Sequence, residues 1–208
     1  MNYSNDWSNK NKYYLANIAL KNQPNRNNRI VFIGDSITEF WGDKDPLFFE
    51  SNVFINRGIS GQTTTQILHR FIDDVVELHP KVVIILAGIN DIAENSGPIS
   101  LEAIFENIIN MVRLAQENNI DVFLCSVLPA NRFYWNIKIK PANKVVQLNQ
   151  MLTKFASDNS IPFVDYYSKM VDRDKGLIAE YGKDAVHPNR LGYDVMKSII
   201  MQYLSTLK

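Results

Sequence analysis

Cysteine is almost absent from this chain: Cys125 stands alone among 208 residues. No internal disulfide can form, and a cysteine-based metal cluster lacks its ligands. Cys125 lies in the apolar run Val122-Phe123-Leu124-Cys125, where a buried structural thiol is expected. A disulfide-stapled secreted domain is thereby excluded, although export is not. Long hydrophobic runs are missing as well. None approaches the roughly 18 to 20 residues of a membrane-spanning helix. Residues 1–12 are polar and Asn-rich, with neither the apolar stretch nor the cleavage site of a signal peptide. As written, the chain is expected in the cytoplasm; a removed leader would make it secreted or periplasmic. An excess of one charge is lacking too. Lys plus Arg number 22, Asp plus Glu number 22, and the formal net charge is zero. Nothing here asks for a polyanionic partner, and no nucleic acid is expected. G-x-x-x-x-G-K-[ST] and G-x-G-x-x-G do not occur, which removes the usual phosphate-binding signatures. G-x-S-x-G is also missing, which argues against a lipase-type α/β-hydrolase elbow.

What is present is an ordinary globular composition, 46% hydrophobic and 21% charged. The length suits one domain over residues 1–208, with a helical arm and polar turn over 1–28. After that turn (NQPNRNN, 22–28) the pattern alternates. Short apolar runs occur at 29–33 (RIVFI), 52–55 (NVFI), 81–87 (KVVIILA), 121–127 (DVFLCSV) and 161–164 (IPFV). Most stop at Gly or Pro, as fully buried parallel strands do. Helical periodicity fills the intervals. Residues 63–78 place Ile67, Leu68, Phe71, Ile72, Val75 and Val76 on one face, and 101–117, 145–156 and 191–204 repeat the pattern. Five strands alternating with helices predict a parallel sheet between two helical layers, a three-layer α/β/α sandwich. Ligands of such sheets bind beyond the carboxyl ends of the strands.

Polar residues gather at those ends. The first strand runs into Gly34-Asp35-Ser36-Ile37-Thr38, where Gly permits a sharp turn. Ser36 there suits a helix cap and a nucleophile equally. The second runs into Asn56-Arg57-Gly58-Ile59-Ser60-Gly61, and Gly58 could offer an unobstructed N–H or simply make a turn. The third ends at Gly88-Ile89-Asn90-Asp91. Asn90 could donate toward the pocket of Ser36 or cap a loop, with Asp91 as a local hydrogen-bond anchor. Near the C-terminus stands Asp184-Ala185-Val186-His187-Pro188-Asn189. A D-x-x-H turn brings the carboxylate to one ring nitrogen and leaves the other for a proton transfer; an isolated Asp–His pair is more often structural. His69, on a helix, and His79, beside Pro80, are expected to be surface or packing residues.

Taken in order, GDSIT, Gly58, GIND and DAVHPN resemble the four blocks of the SGNH, or GDSL-type, hydrolases, and they span most of the chain. The resemblance implies a flavodoxin-like sandwich with a five-stranded parallel sheet, and an esterase or acylhydrolase that uses an acyl-enzyme and needs no metal or organic cofactor. It implies Ser36 as nucleophile, His187 as general base and Asp184 as its orienting partner. The Ser36 N–H, the Gly58 N–H and the Asn90 side chain would form the oxyanion hole, with Asp35 and Asp91 in support. Thr38 stands where many lipolytic members carry Leu, so the label lipase is not carried over. The surroundings of Trp41 and residues 129–141 are similar, more loosely, to bacterial lysophospholipase-like and acetylhydrolase-like members.

Aromatic residues set the expectation for substrate. Phe40 and Trp41 follow Ser36, and Arg132-Phe133-Tyr134-Trp135 falls in the loop after the fourth strand. They could stack on a sugar ring or line an acyl pocket, or equally pack their loop onto the body. A small-molecule ester is the expected partner, with short acyl groups, especially O-acetyl on carbohydrate, ahead of lysophospholipids. A noncatalytic flavodoxin-like binding module is the rival from another class. Nothing in the sequence fixes an oligomeric state.

Overall fold

The computed structural model describes residues 6–23, 28–50 and 53–207. Five parallel strands form one sheet: β1 Ile30–Gly34, β2 Phe54–Gly58, β3 Val82–Leu86, β4 Asp121–Cys125 and β5 Phe163–Val164. Their order is β2-β1-β3-β4-β5. Every residue of β1 and β3 is buried. That is why these strands read as continuous Val/Ile runs: both sheet faces are covered. Each fully buried Ile, Val or Phe side chain contributes about 1.5–3 kcal/mol by leaving water.

Among the described residues, ten α-helices cover the sheet. In chain order they are α1 Tyr14–Lys21, α2 Ser36–Lys44, α3 Pro46–Glu50, α4 Thr64–His69, α5 Phe71–Asp74, α6 Ile89–Ile92, α7 Leu101–Glu117, α8 Pro141–Asp158, α9 Tyr167–Met170 and α10 Arg190–Leu204. On one face α1, α5, α4, α7 and α8 pack in succession; on the other, α3, α2, α10 and α9 do so. The sequence sets several boundaries. Ser100 caps α7 by accepting from Ala103 N at 3.1 Å, Pro141 begins α8, and Asn189 caps α10 by accepting from Gly192 N at 3.1 Å. Among the described residues, no helix is long and apolar enough to cross a membrane.

Two expectations need adjustment. The helix expected over 63–78 is broken into α4, α5 and a short 3-10 turn, Val76–Leu78. Arg70 sits at the break, outside helical geometry, with its guanidinium directed inward. Ile67, Phe71 and Val75 remain buried, but the break leaves Ile72 50% exposed. The second strand begins later than expected and continues through Gly58, so the turn is displaced to Gly61. Residues 24–27 of the expected polar turn, and Asn52 of the second run, lie outside the described residues.

Register brings the functional segments level. Gly34 of β1 pairs with Gly58 of β2 and Leu86 of β3. The chain leaves these three strands at the same height. The sheet order reverses direction at β1, flanked by β2 and β3, which is the switch point where open parallel sheets bind ligands.

Candidate active site

Asp35 begins the site. Its carboxylate caps α2 by accepting the Ile37 N–H at 2.9 Å, and Ser36 follows as the first helical residue. Ser36 is therefore not itself the cap. Its backbone N–H is one of the unpaired donors of a helix start and has no partner among the described residues. The sharp exit from β1 requires Gly34: a Cβ there would meet the Leu86 carbonyl oxygen at 2.3 Å and Thr38 Oγ1 at 2.4 Å. Ser36 Oγ lies 2.9 Å from His187 Nε2. The other ring nitrogen, Nδ1, lies 2.9 Å from Asp184 Oδ2. Asp184 Oδ1 accepts the N–H groups of Val186 and His187, both at 2.8 Å, which closes the D-x-x-H turn. Burial opposes ionisation of Asp184, but the hydrogen bonds from His187 and Val186 outweigh it and hold the carboxyl below its ordinary range. Serine, imidazole and carboxylate thus form a continuous hydrogen-bonded chain.

Asn90, in α6 after β3, is buried beside the Gln62 segment. Its Nδ2 donates to the Gln62 carbonyl at 3.0 Å, and its Oδ1 accepts from Asn95 Nδ2 at 2.9 Å. Asp91 serves as an anchor for the next element. It accepts from Thr64 N at 2.9 Å and Thr64 Oγ1 at 2.7 Å, fixing the start of α4.

The Gly58 expectation is corrected. Its N–H donates to Asn56 Oδ1 at 2.9 Å, and a Cβ at Gly58 would strike the Glu39 backbone nitrogen at 2.1 Å. Gly58 allows β2 and α2 to pack closely; it does not present a free donor. The following N–H groups are engaged in turn: Ile59 with the Gly34 carbonyl at 3.1 Å, Ser60 with Glu39 Oε2 at 2.5 Å, Gln62 with the Ile59 carbonyl at 3.3 Å. Within 58–62, only the Gly61 N–H has no partner among the described residues. Gly61 adopts φ +79° and is exposed beside the Gln62 carbonyl that Asn90 binds. The signal was available as the second glycine of G-x-S-G, placed where a left-handed turn needs it.

Beneath these loops lies a buried polar cluster that no short motif advertises. Arg70, fully buried, donates to Gln62 Oε1 at 2.6 Å, Asp74 Oδ2 at 2.8 Å and the Gly34 carbonyl at 3.0 Å. Asn17 in α1 donates to Asp74 Oδ1 at 2.6 Å and accepts from Arg57 Nε and Nη2 at 2.9 and 2.7 Å. Tyr13 donates to the Gly58 carbonyl at 2.5 Å while the Arg57 guanidinium lies 4.6 Å from its ring centre. Burial lowers the pKa of both arginines, and the Asp74 charge opposes that. Burial also pushes Asp35 up to about 7, against the Ile37 hydrogen bond and helped by the Asp91 charge, and Asp91 up to about 6 against its Thr64 bonds.

The aromatic candidates separate into two groups. Trp41 is 1% exposed and stacks on Phe48 at 5.1 Å, so it is core. Phe133 is equally buried and supports Trp135 from below, with ring centres 5.0 Å apart. Neither is placed to touch a substrate. Phe40 and Trp135 do border the site, their ring centres 5.5 and 6.4 Å from that of His187. Tyr134 is exposed and carries the Arg132 guanidinium 5.4 Å from its ring centre; among the described residues no hydrogen bond or ring contact links this pair to His187. His69 packs against Trp7 and bonds Ser8 Oγ at 2.8 Å, and His79 is exposed, away from the site.

The model of the GDSL-like lipase/acylhydrolase family matches residues 32–195. The solved structure of a candidate acylhydrolase from Bacteroides fragilis NCTC 9343 is 47% identical, with TM-score 0.93, covering 96% of this chain and 97% of that one. A GDSL-like lipase from Bacteroides thetaiotaomicron VPI-5482 is 44% identical with the same TM-score, covering 97% and 99%. The uncharacterised lipoprotein YqeF of Bacillus subtilis (strain 168) is 25% identical over 140 residues, 59% of this chain. That match spans 58% of the curated relative's length.

Proposed function

The chain belongs to the GDSL-like lipase/acylhydrolase family and is an ester hydrolase, and we propose that Ser36, His187 and Asp184 perform its chemistry by two-step acyl transfer. The observation that carries this reading is the unbroken chain from Ser36 Oγ through His187 to Asp184, at 2.9 Å for each link. His187 Nε2 takes the Ser36 proton as Oγ attacks the ester carbonyl, and Asp184 holds the tautomer and stabilises the imidazolium. The tetrahedral oxyanion is received by the Ser36 and Gly61 N–H groups and the free N–H of Asn90 Nδ2. The imidazolium protonates the leaving alcohol. Water then attacks the acyl-enzyme, with His187 again as base, and Ser36 is released.

The favoured substrates are short acyl esters, with O-acetyl groups on carbohydrate first. Phe40 and Trp135 border the histidine that protonates the leaving group, and aromatic faces there suit a sugar ring. The whole chain acts as one unit in this reading, because the N-terminal arm supplies Tyr13 and Asn17 to the ground beneath the site. An acetylated polysaccharide substrate would place the protein outside the cytoplasm, and its partial likeness to a lipoprotein supports that location.

The test is Ser36→Ala assayed on acetylated sugars, short-chain aryl esters and lysophospholipids. Turnover should fall by about 10⁴ or more on every ester that the parent cleaves, with the melting curve retained. Near-parental turnover by the folded variant would end the assignment. Preference of the parent for lysophospholipid would replace the carbohydrate reading with the lipid one.

A further inference from the structure

The helix that holds Asn90 is one turn long, and its ending is well defined. Glu94 N donates to the Asp91 carbonyl at 2.9 Å, and Asn95 N donates to the Asn90 carbonyl at 3.0 Å. Glu94 itself is left-handed, with φ 59°. This pair of bonds is a Schellman ending, which folds the second residue past the cap back over the third-last residue of the helix. An apolar contact usually accompanies that fold. Here both positions are asparagine, and the contact is a hydrogen bond from Asn95 Nδ2 to Asn90 Oδ1 at 2.9 Å. The other end of the Asn95 carboxamide is also used. Its Oδ1 accepts from Trp135 Nε1 at 3.0 Å.

Each group in this chain has a fixed polarity. Indole N–H can only donate, so it faces the Asn95 oxygen and turns the Asn95 NH₂ toward Asn90. Asn90 must then present its own oxygen to Asn95, which directs its NH₂ the other way. One of those N–H bonds goes to the Gln62 carbonyl. The second is left for an oxyanion. Reversing any one amide would set two donors or two acceptors against each other.

We propose that Asn95 is a positioning residue that sets the direction of the Asn90 carboxamide and couples it to Trp135 at the leaving-group side. The proposal rests on Asn90 being an oxyanion donor. Substrate packed on the indole face thereby steadies the group that receives the developing charge, through Asn95 as the bridge.

Steady-state kinetics with p-nitrophenyl acetate test this. Asn95→Asp retains an acceptor for Trp135 but has nothing to donate to Asn90. Its kcat should fall about 10- to 100-fold, below the roughly 10²- to 10³-fold of losing an oxyanion donor outright, with KM within about twofold and the melting curve retained. Trp135→Phe keeps the ring and removes the donor; its kcat should fall by about two- to tenfold, the worth of one hydrogen bond. In an Asn90→Ala background, Asn95→Asp should cost no more than about twofold further. A large loss in Asn90→Ala beside a parental kcat in Asn95→Asp overturns the positioning role and leaves the oxyanion reading standing. Parental kcat in Asn90→Ala overturns both. A parental kcat in Trp135→Phe overturns the coupling to the indole.

Discussion

The ground beneath the site and the rim around it are built by opposite rules. Below the strand ends, Arg57, Arg70, Asp74, Asp35 and Asp91 are buried and hydrogen-bonded; Asp35 caps its own helix, and the other four reach partners distant in the chain. Around the opening, Trp135 is 49% exposed and its indole N–H bonds only Asn95 among the described residues. A buried polar network has little freedom, since each unmet partner would cost its full desolvation. The rim is held by ring contacts and a few bonds, so it can change with less loss. On the proposed mechanism, reaction geometry belongs to the ground and choice of alcohol to the rim.

Substitutions can break that contrast. The largest effect is expected at Asp74. Asp74→Ala leaves the Arg70 guanidinium buried without its carboxylate and removes the partner of Asn17. Chemical denaturation should show a loss of about 3–5 kcal/mol. A loss within 0.5 kcal/mol, typical of a surface change, would show that the cluster is not what fixes the strand ends.

The two glycines sharpen the contrast next. Gly58→Ala drives a Cβ into the α2 backbone and should cost at least about 1–3 kcal/mol as overpacking. Gly61→Ala meets open space but must hold φ +79°, costing about 1–2 kcal/mol, and the turn that escapes this strain carries the N–H away from the oxyanion. Stability should therefore fall more at Gly58, and activity per folded molecule more at Gly61. The reverse ranking in kcat would restore Gly58 as the donor.

At the rim, Trp135→Ala should leave stability within about 0.5 kcal/mol. Its KM for an acetylated sugar should rise more than its KM for methyl acetate. Equal changes for both esters would remove Trp135 from alcohol recognition.

A further contrast lies in pH dependence. An unfolded Asp titrates near about 3.9, while burial holds Asp35 at about 7. Between those values the native state keeps a proton that the unfolded state has released. Stability from this group is thus complete below about pH 4 and is lost as pH rises toward 7. Asp91, raised to about 6, acts in the same direction. Asp35→Asn keeps a capping oxygen without the charge, so its melting temperature should vary less with pH across that window. An unchanged slope would mean that Asp35 ionises in the native state as it does in the unfolded one.

What could be read from the sequence follows the same division. β1, β3 and α7 were legible because a covered strand must be apolar throughout and a long helix between layers must be amphipathic. Ser36, Asn90, Asp184 and His187 stand out as candidates because each sits in a short local motif at a strand end or helix start. The polar cluster was not, since Asn17, Arg57, Arg70 and Asp74 meet only after the sheet is assembled. Gly58 and Gly61 looked alike because sequence gives neither φ nor the partner of an N–H. Phe133 and Trp135 are two residues apart in one loop, and no periodicity says which faces inward. Trp41 is legible as a core residue: with Ile37 it forms an i, i+4 pair on the buried side of α2.

The most direct test of the account is covalent. The protein is treated with a fluorophosphonate probe and the labelled peptide located by mass spectrometry, with His187→Ala treated in parallel. Label on Ser36, falling sharply in the His187→Ala variant, is the predicted result. Folded protein that stays unlabelled, or that labels equally without His187, would contradict an activated serine at this site.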